Sequence, residues 1–335
     1  MLTIPEIAEA CDAGDELDFS RHAIEPADLH LAATYYPFGF PAEVRTNCAE
    51  VLEVMTGLWG RFEQRYDTTP IRSEVYVVDG VSRECPPEPV YRLIRPLLLA
   101  VADGDNYSIV DLERDRTQIT ISRAALSHRL YAEYFLLSSP VALVATRRAT
   151  PIHAACVERN GRGVLLCGDS GMGKSTLSYA CARAGWTYIS DDATFLLQDR
   201  DDRMVTGDCH RVRFRPTAAE LFPEIRGRDI TPRAAGKPSI ELPTSSLPNI
   251  TPSQTTRIDY IVFLNRFSSA EPELKPYRKD VARHFMRQSI FGVEETMTVQ
   301  YRDIERLLEA EIFELHYSGL EWALGRLQQL VEEGK

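Results

Sequence analysis

Eight consecutive residues, Gly168, Asp169, Ser170, Gly171, Met172, Gly173, Lys174 and Ser175, carry the spacing G-x-x-x-x-G-K-[ST]. The physical use of that spacing is to hold an anion. Glycines let successive backbone N–H groups turn inward, and a helix opening at the last positions adds the positive end of its dipole. Lys174 supplies a point charge for the β- and γ-phosphates of a nucleotide, and the Ser175 hydroxyl is a ligand for Mg2+. With Thr176, residues 168–176 form the candidate nucleotide-binding segment.

Two carboxylates, Asp191 and Asp192, follow 16 residues after Ser175. Neighbours in an extended chain point to opposite sides, so one of the pair can face a metal while the other faces an acceptor. Phosphoryl transfer to an alcohol needs both, one group on Mg2+ and one to take the hydroxyl proton. Asp191 and Asp192 are thus candidate catalytic residues and, with Ser175, candidate metal ligands. His153 is the third catalytic candidate, because it opens a strand expected to pair with the strand leading into the cradle. Arg211, Arg213 and Arg215 alternate along an expected strand. Arg213 and Arg215, with Lys237 farther on, are candidate contacts to phosphate or an acidic substrate. Asn265-Arg266 does not supply the N-K-x-D of a guanine site, and no LSGGQ-type signature is present.

These residues need elements to position them. "HAACVERNGRGVLLCG" reads as a hairpin around Arg159-Asn160-Gly161-Arg162 that leads straight into the cradle. A helix is expected from Ser175 to Ala184, stopped by Gly185. "WTYIS" is a strand delivering the two aspartates, and "TFLLQDRDDRMVTGD" a hairpin with a polar tip. Residues 230–256 read as a long Pro- and Thr-rich loop, "RIDYIVFLNRF" as a late strand, and 281–331 as mostly helical. Upstream, "NCAEVLEVMTGLWGRF" predicts a helix with a capping-box-like start at Asn47 and Glu50. Its apolar face is Val51, Met55, Leu58, Trp59 and Phe62. "SEVYVVDG" predicts a strand and "YSIVDLERDRTQITIS" a hairpin. A helix from Ala124 to Leu137 is expected to stop near Ser138-Ser139-Pro140. The chain therefore divides into an α+β domain, 1–140, of unassigned role, and a catalytic domain, 141–335.

The 335 residues are 44% hydrophobic and 26% charged, a globular balance. A formal net charge of −11 argues against a nucleic-acid partner, which needs a basic face. Seven cysteines, none in a C-x-x-C pair, argue against structural zinc or a disulfide framework. Cys167 and Cys181 read as small core residues. No stretch reaches the roughly 18 apolar residues of a membrane span. A cytoplasmic setting without a membrane partner is expected.

The segment from His153 to Ala193, with "GDSGMGKS" and the Asp pair in order and spacing, resembles the catalytic core of the HPr kinase/phosphorylase family. The close similarity covers about 45 residues. "FELHYSGLEWALGRLQQLV" is similar to that family's helical tail. The resemblance implies an α/β fold, a P-loop domain with a mixed sheet of the phosphoenolpyruvate-carboxykinase-like kind, behind the smaller α+β domain. It implies Mg2+ with ATP or another nucleoside triphosphate, and transfer to a serine hydroxyl of a protein or peptide. His153 and one aspartate would steer that hydroxyl. A further family signature with a Glu ligand is replaced here by the basic "CHRVRFRPTAAELFPEI", which argues against the reverse phosphorolysis. The donor, the acceptor and any homo-oligomer stay open. So do a small-molecule or modified-peptide kinase, a plain NTPase and a non-catalytic nucleotide switch.

Overall fold

The computed structural model describes residues 29–231, 238–266 and 271–334, together with Glu9 and Ala13. The chain divides into two compact units at Arg147–Arg148. The boundary lies seven residues past the expected 140/141.

In the first unit, among the described residues, seven strands form one sheet: β1 (Leu31–Tyr35), β2 (Ala42–Thr46), β3 (Ile71–Val78), β4 (Val90–Ile94), β5 (Leu97–Asp103), β6 (Asn106–Asp111) and β7 (Arg116–Ser122), in the order β1-β2-β3-β7-β6-β5-β4. The expected hairpin is β6–β7, antiparallel from Tyr107↔Thr120 to Asp111↔Arg116. Helix α1 (Ala49–Trp59) buries Val51, Met55, Leu58 and Trp59 as its periodicity predicts, and Val54 besides. Its capping box is absent. The Asn47 amide instead brackets Val77, donating to its carbonyl at 3.0 Å and accepting its N–H at 2.9 Å, as a neighbouring strand would. Helix α2 (Arg123–Ser127) is capped by the Ser122 hydroxyl. Helix α3 (Arg129–Arg147) runs straight through Pro140, where a stop was expected. Pro140 costs one N–H, but Ala142, Leu143, Val144 and Ala145 are all buried, and that apolar turn carries the helix on.

The second unit holds β8 (Ala149–Arg159), β9 (Arg162–Cys167), helix α4 (Lys174–Arg183), β10 (Thr187–Ser190), β11 (Ala193–Leu197), β12 (Met204–Gly207), β13 (Arg211–Phe214), β14 (Ile240–Pro243), β15 (Thr251–Pro252), β16 (Thr255–Asn265), β17 (Glu273–Pro276), helix α5 (Lys279–Arg287), helix α6 (Glu294–Leu307), β18 (Glu311–His316) and helix α7 (Leu320–Glu333). All the strands but β13 and β14 join one mixed sheet. The β8–β9 turn has both Asn160 (φ 55°) and Gly161 (φ 74°) left-handed, the requirement of a two-residue hairpin. Alternation along β9 sends Leu165 and Cys167 to one face, with Ile261, Phe263 and α6, and Val164 and Leu166 to the other, with Leu177 of α4 and Leu327 of α7. Cys167 and Cys181 are fully buried core residues. Among the described residues no helix is long and apolar enough to cross a membrane.

Two expectations need correction. Residues 230–256 are not one long loop: β14 pairs with β13, and β15 adds to β10 in parallel. The apolar pair Ile240 and Leu242, both buried, is a period-2 signal only four residues long, too short to stand out among prolines and threonines. The C-terminal run is interrupted by β18, whose Ile312, Phe313 and Leu315 lie beside β16 in parallel register.

One buried ionic knot ties α6 to the sheet. Arg306 donates to Leu197 O (2.8 Å), to Asp202 O and to Asp303 Oδ1 (2.9 Å), while Thr150 donates to Asp303 Oδ2 (2.7 Å). Arg306→Ala would leave the Asp303 carboxylate, 5% exposed, without its cation. A loss of about 3–5 kcal/mol is expected, seen as a lower denaturant midpoint at unchanged slope.

Candidate functional site

Register on β8 brings the predicted residues together. Ala193, the first residue of β11, pairs with His153, and Cys167, the last residue of β9, pairs with Ala154. Asp192 and Gly168 each lie one residue beyond those partners. The cradle thus springs from one side of β8 and the aspartates arrive on the other, with His153 between them. Helix α4 opens at Lys174 with Gly173 as N-cap, and no side chain caps it. Gly173 has φ 97°, and a Cβ there would sit 2.8 Å from the Tyr317 hydroxyl. Tyr317 donates to Met172 O at 3.1 Å and braces the turn from β18, a role no motif announced. Asp169, Ser170 and Gly171 face solvent, and Ser175 and Thr176 are half-buried in the first helical turn.

Lys174 is the buried cation of the site, with its side chain 6% exposed. Its Nζ donates to Gly168 O at 2.7 Å and meets His153 Nε2 at 3.0 Å; Asp192 Oδ1 lies 3.9 Å away. An ammonium has only donors, so Nε2 must accept and the imidazole proton sits on Nδ1. That nitrogen faces Asp192 Oδ1 at 3.4 Å. Burial holds the His153 pKa below its usual value; Asp192 pulls it up and Lys174 pushes it down. Burial likewise lowers the Lys174 pKa, against the pull of Asp192. The result is a neutral imidazole linking an ammonium to a half-exposed carboxylate.

Asp191 is turned elsewhere. Its carboxylate is buried, and Oδ2 accepts the Arg213 backbone N–H at 2.6 Å. Its Asp191 O accepts from Ser175 Oγ at 3.4 Å. Burial raises the Asp191 pKa to about 7, with Arg213 opposing. A carboxyl whose folded pKa lies above its unfolded value costs stability as pH rises through the window between them. Asp191→Asn is therefore expected to flatten the loss of thermal stability between about pH 4 and pH 7 and to raise the midpoint above that window, by a few kcal/mol at most. Thermal unfolding across pH checks this.

The basic candidates separate as well. Arg211 pairs with Asp208 and Arg213 with Glu241, at 3.5 and 3.6 Å. Burial opposes the Arg213 charge, but Asp191, Glu241 and Asp208 outweigh it and raise its pKa. Arg213 is thus paired with carboxylates in this structure. Arg215 is exposed, and its Nη2 donates to Ser170 Oγ of the cradle at 3.3 Å. Lys237 lies outside the described residues.

Among the described residues no group of three or more His, Cys, Asp and Glu side chains is placed to hold a metal unaided. Mg2+ needs no such cage, since it keeps waters and takes phosphate oxygens with one or two protein oxygens. The donor chemistry of Ser175 Oγ and the half-exposed Asp192 carboxylate fits that demand.

The family described as SynChlorMet cassette protein ScmC matches residues 133–233. An HPr kinase/phosphorylase from Lactobacillus johnsonii is 30% identical over 118 residues, 34% of this chain and 32% of that protein. One from Ralstonia pickettii is 28% identical over 136 residues, 40% and 39% of the two chains. Over those segments the chain is similar to HPr kinase/phosphorylases. The chain spans about a third to two fifths of the length of those curated relatives. The solved structure of the Hpr(Ser) kinase/phosphatase from Coxiella burnetii aligns with it at 14% identity and a TM-score of 0.30, over 55% of this chain and 99% of that one.

Proposed function

We propose that this chain is a kinase that moves the terminal phosphate of ATP, with Mg2+, to a serine-type hydroxyl of a protein or peptide. The convergence of Lys174, His153 and Asp192 at the mouth of a glycine-rich turn carries this reading. A nucleotide switch needs the turn alone; a histidine–carboxylate pair beside it serves chemistry on a second molecule. The names of the curated relatives, HPr kinase/phosphorylase, agree with it. HPr itself is not proposed as the acceptor, because the match covers about a third to two fifths of each relative.

In this mechanism the N–H groups of residues 168–174 and the start of α4 hold the phosphates. Lys174 exchanges Gly168 O and His153 Nε2 for phosphate oxygen. Asp192 takes the acceptor proton as the new O–P bond forms and the bond from the γ-phosphorus to the β,γ-bridging oxygen breaks, ADP leaving with that oxygen; the His153 Nδ1–H keeps the carboxylate oriented. Ser175, with phosphate oxygens and water, would hold the Mg2+, which would supply positive charge to the phosphate oxygens.

The test is transfer of γ-labelled phosphate from ATP with Mg2+ into polypeptides of a cell extract. Label on serine of a discrete polypeptide is the expected result. Nucleotide held tightly with label released only to water, or to no acceptor at all, would overturn the kinase reading in favour of an NTPase or a switch.

A further inference from the structure

We infer that Asp191 is a positioning residue and not a metal ligand: its carboxylate latches the β13–β14 ribbon so that Arg215 stays over the cradle. The inference deepens the proposed function and rests on it for the identity of the ligand.

The ribbon needs a latch. Among the described residues its two strands pair only with each other, from Arg211↔Pro243 to Phe214↔Ile240, and an isolated two-stranded ribbon is marginal in water. Its apolar face, Val212, Phe214, Ile240 and Leu242, packs with Tyr179, Tyr188 and Phe222. Such packing fixes which face is down but is not directional. Its directional contacts include two to residues outside it: Tyr188 Oη donates to Arg211 O at 3.0 Å, and the Arg213 N–H reaches Asp191 Oδ2 at 2.6 Å. The second is the shorter, and it holds the backbone itself. It seizes the strand two residues before Arg215, a separation of about 7 Å along an extended chain. Glu241 holds the Arg213 side chain from the facing strand, so Arg213 cannot swing away.

Arg215 is then the only one of the three alternating arginines left for a ligand. Among the described residues it makes no ion pair with a carboxylate, and its Nη2 donates to Ser170 of the cradle. A guanidinium held there is a fixed donor fork for phosphate oxygens. The two aspartates divide their labour accordingly, Asp192 facing the reaction and Asp191 holding the arm that closes over it.

The experiment is calorimetric binding of the non-hydrolysable imido analogue of ATP at several Mg2+ concentrations. Arg215→Ala and Asp191→Ala are each expected to weaken binding by about tenfold, and the double variant to be no weaker than either. Asp191→Asn retains an acceptor for the Arg213 N–H, so it is expected to bind like wild type with an unchanged Mg2+ requirement. An unstable Asp191→Ala leaves that Asn arm as the decisive one. Asp191→Asn as weak as Arg215→Ala, with a raised Mg2+ requirement, would make Asp191 a metal ligand and overturn the latch. Losses that multiply in the double variant would overturn it too. The wild type serves as the control: if it does not bind the analogue with Mg2+, the nucleotide reading has failed, and not the latch.

Discussion

Lys174→Met is expected to weaken Mg–ATP binding by roughly a hundredfold or more, because it removes the one buried cation aimed at the cradle. The apo protein should not suffer in proportion. Lys174 is desolvated, and its own carboxylate partner is 3.9 Å off, so methionine of similar length removes a costly charge and keeps most of the packing. His153 Nε2 and Gly168 O lose a donor, but His153 is 43% exposed and can turn to water. The apo melting temperature should therefore stay close to wild type while its rise with Mg–ATP disappears, since a ligand stabilises only the state it binds. Thermal unfolding with and without Mg–ATP reads both. A variant that still gains stability from nucleotide would show that the turn holds phosphate without Lys174. One that melts far below wild type when apo would make the ammonium structural.

What the sequence disclosed about this site is mostly local chemistry with fixed spacing. The cradle, the α4 helix with Gly185 at its end (φ 87°) and the β8–β9 hairpin are set by residues within a few positions of one another. His153 was placed near the phosphates on hairpin geometry alone, and the register of β8 puts it between the cradle and Asp192. The division between the aspartates was legible only as an alternation. Which one is left half-exposed beside His153 depends on β13, whose Arg213 N–H captures Asp191, and a backbone donor leaves no trace in composition. Arg213 and Arg215 looked alike as alternating cations. Glu241 separates them, and it lies on a strand hidden in a segment whose prolines and threonines read as loop. Pro140 misled for the opposite reason, a strong local signal outweighed by the burial of the turn after it. Around the cradle the short-range signals agree with the structure; the partners of Asp191 and Arg213 are brought from farther along the chain.

Asp192→Asn should separate binding from transfer. The substitution keeps shape and hydrogen-bonding capacity, so nucleotide affinity should stay within a few-fold of wild type. What it removes is the negative oxygen that His153 Nδ1–H faces at 3.4 Å and that Lys174 senses at 3.9 Å. A neutral amide cannot take the acceptor proton, and loss of a positioned base typically costs 10²- to 10⁴-fold in rate. The expected result is phosphate transfer slower by about that factor, with binding of the non-hydrolysable analogue nearly intact. His153→Ala should fall less, by about tenfold, because it only orients the carboxylate. The ordering of the two losses carries the assignment. If His153→Ala is the more damaging, the imidazole itself is the base, its Nε2 freed when Lys174 moves to phosphate, and Asp192 is the group that orients it. If Asp192→Asn abolishes nucleotide binding instead, its carboxylate is above all a metal ligand, and the acceptor proton leaves by another route.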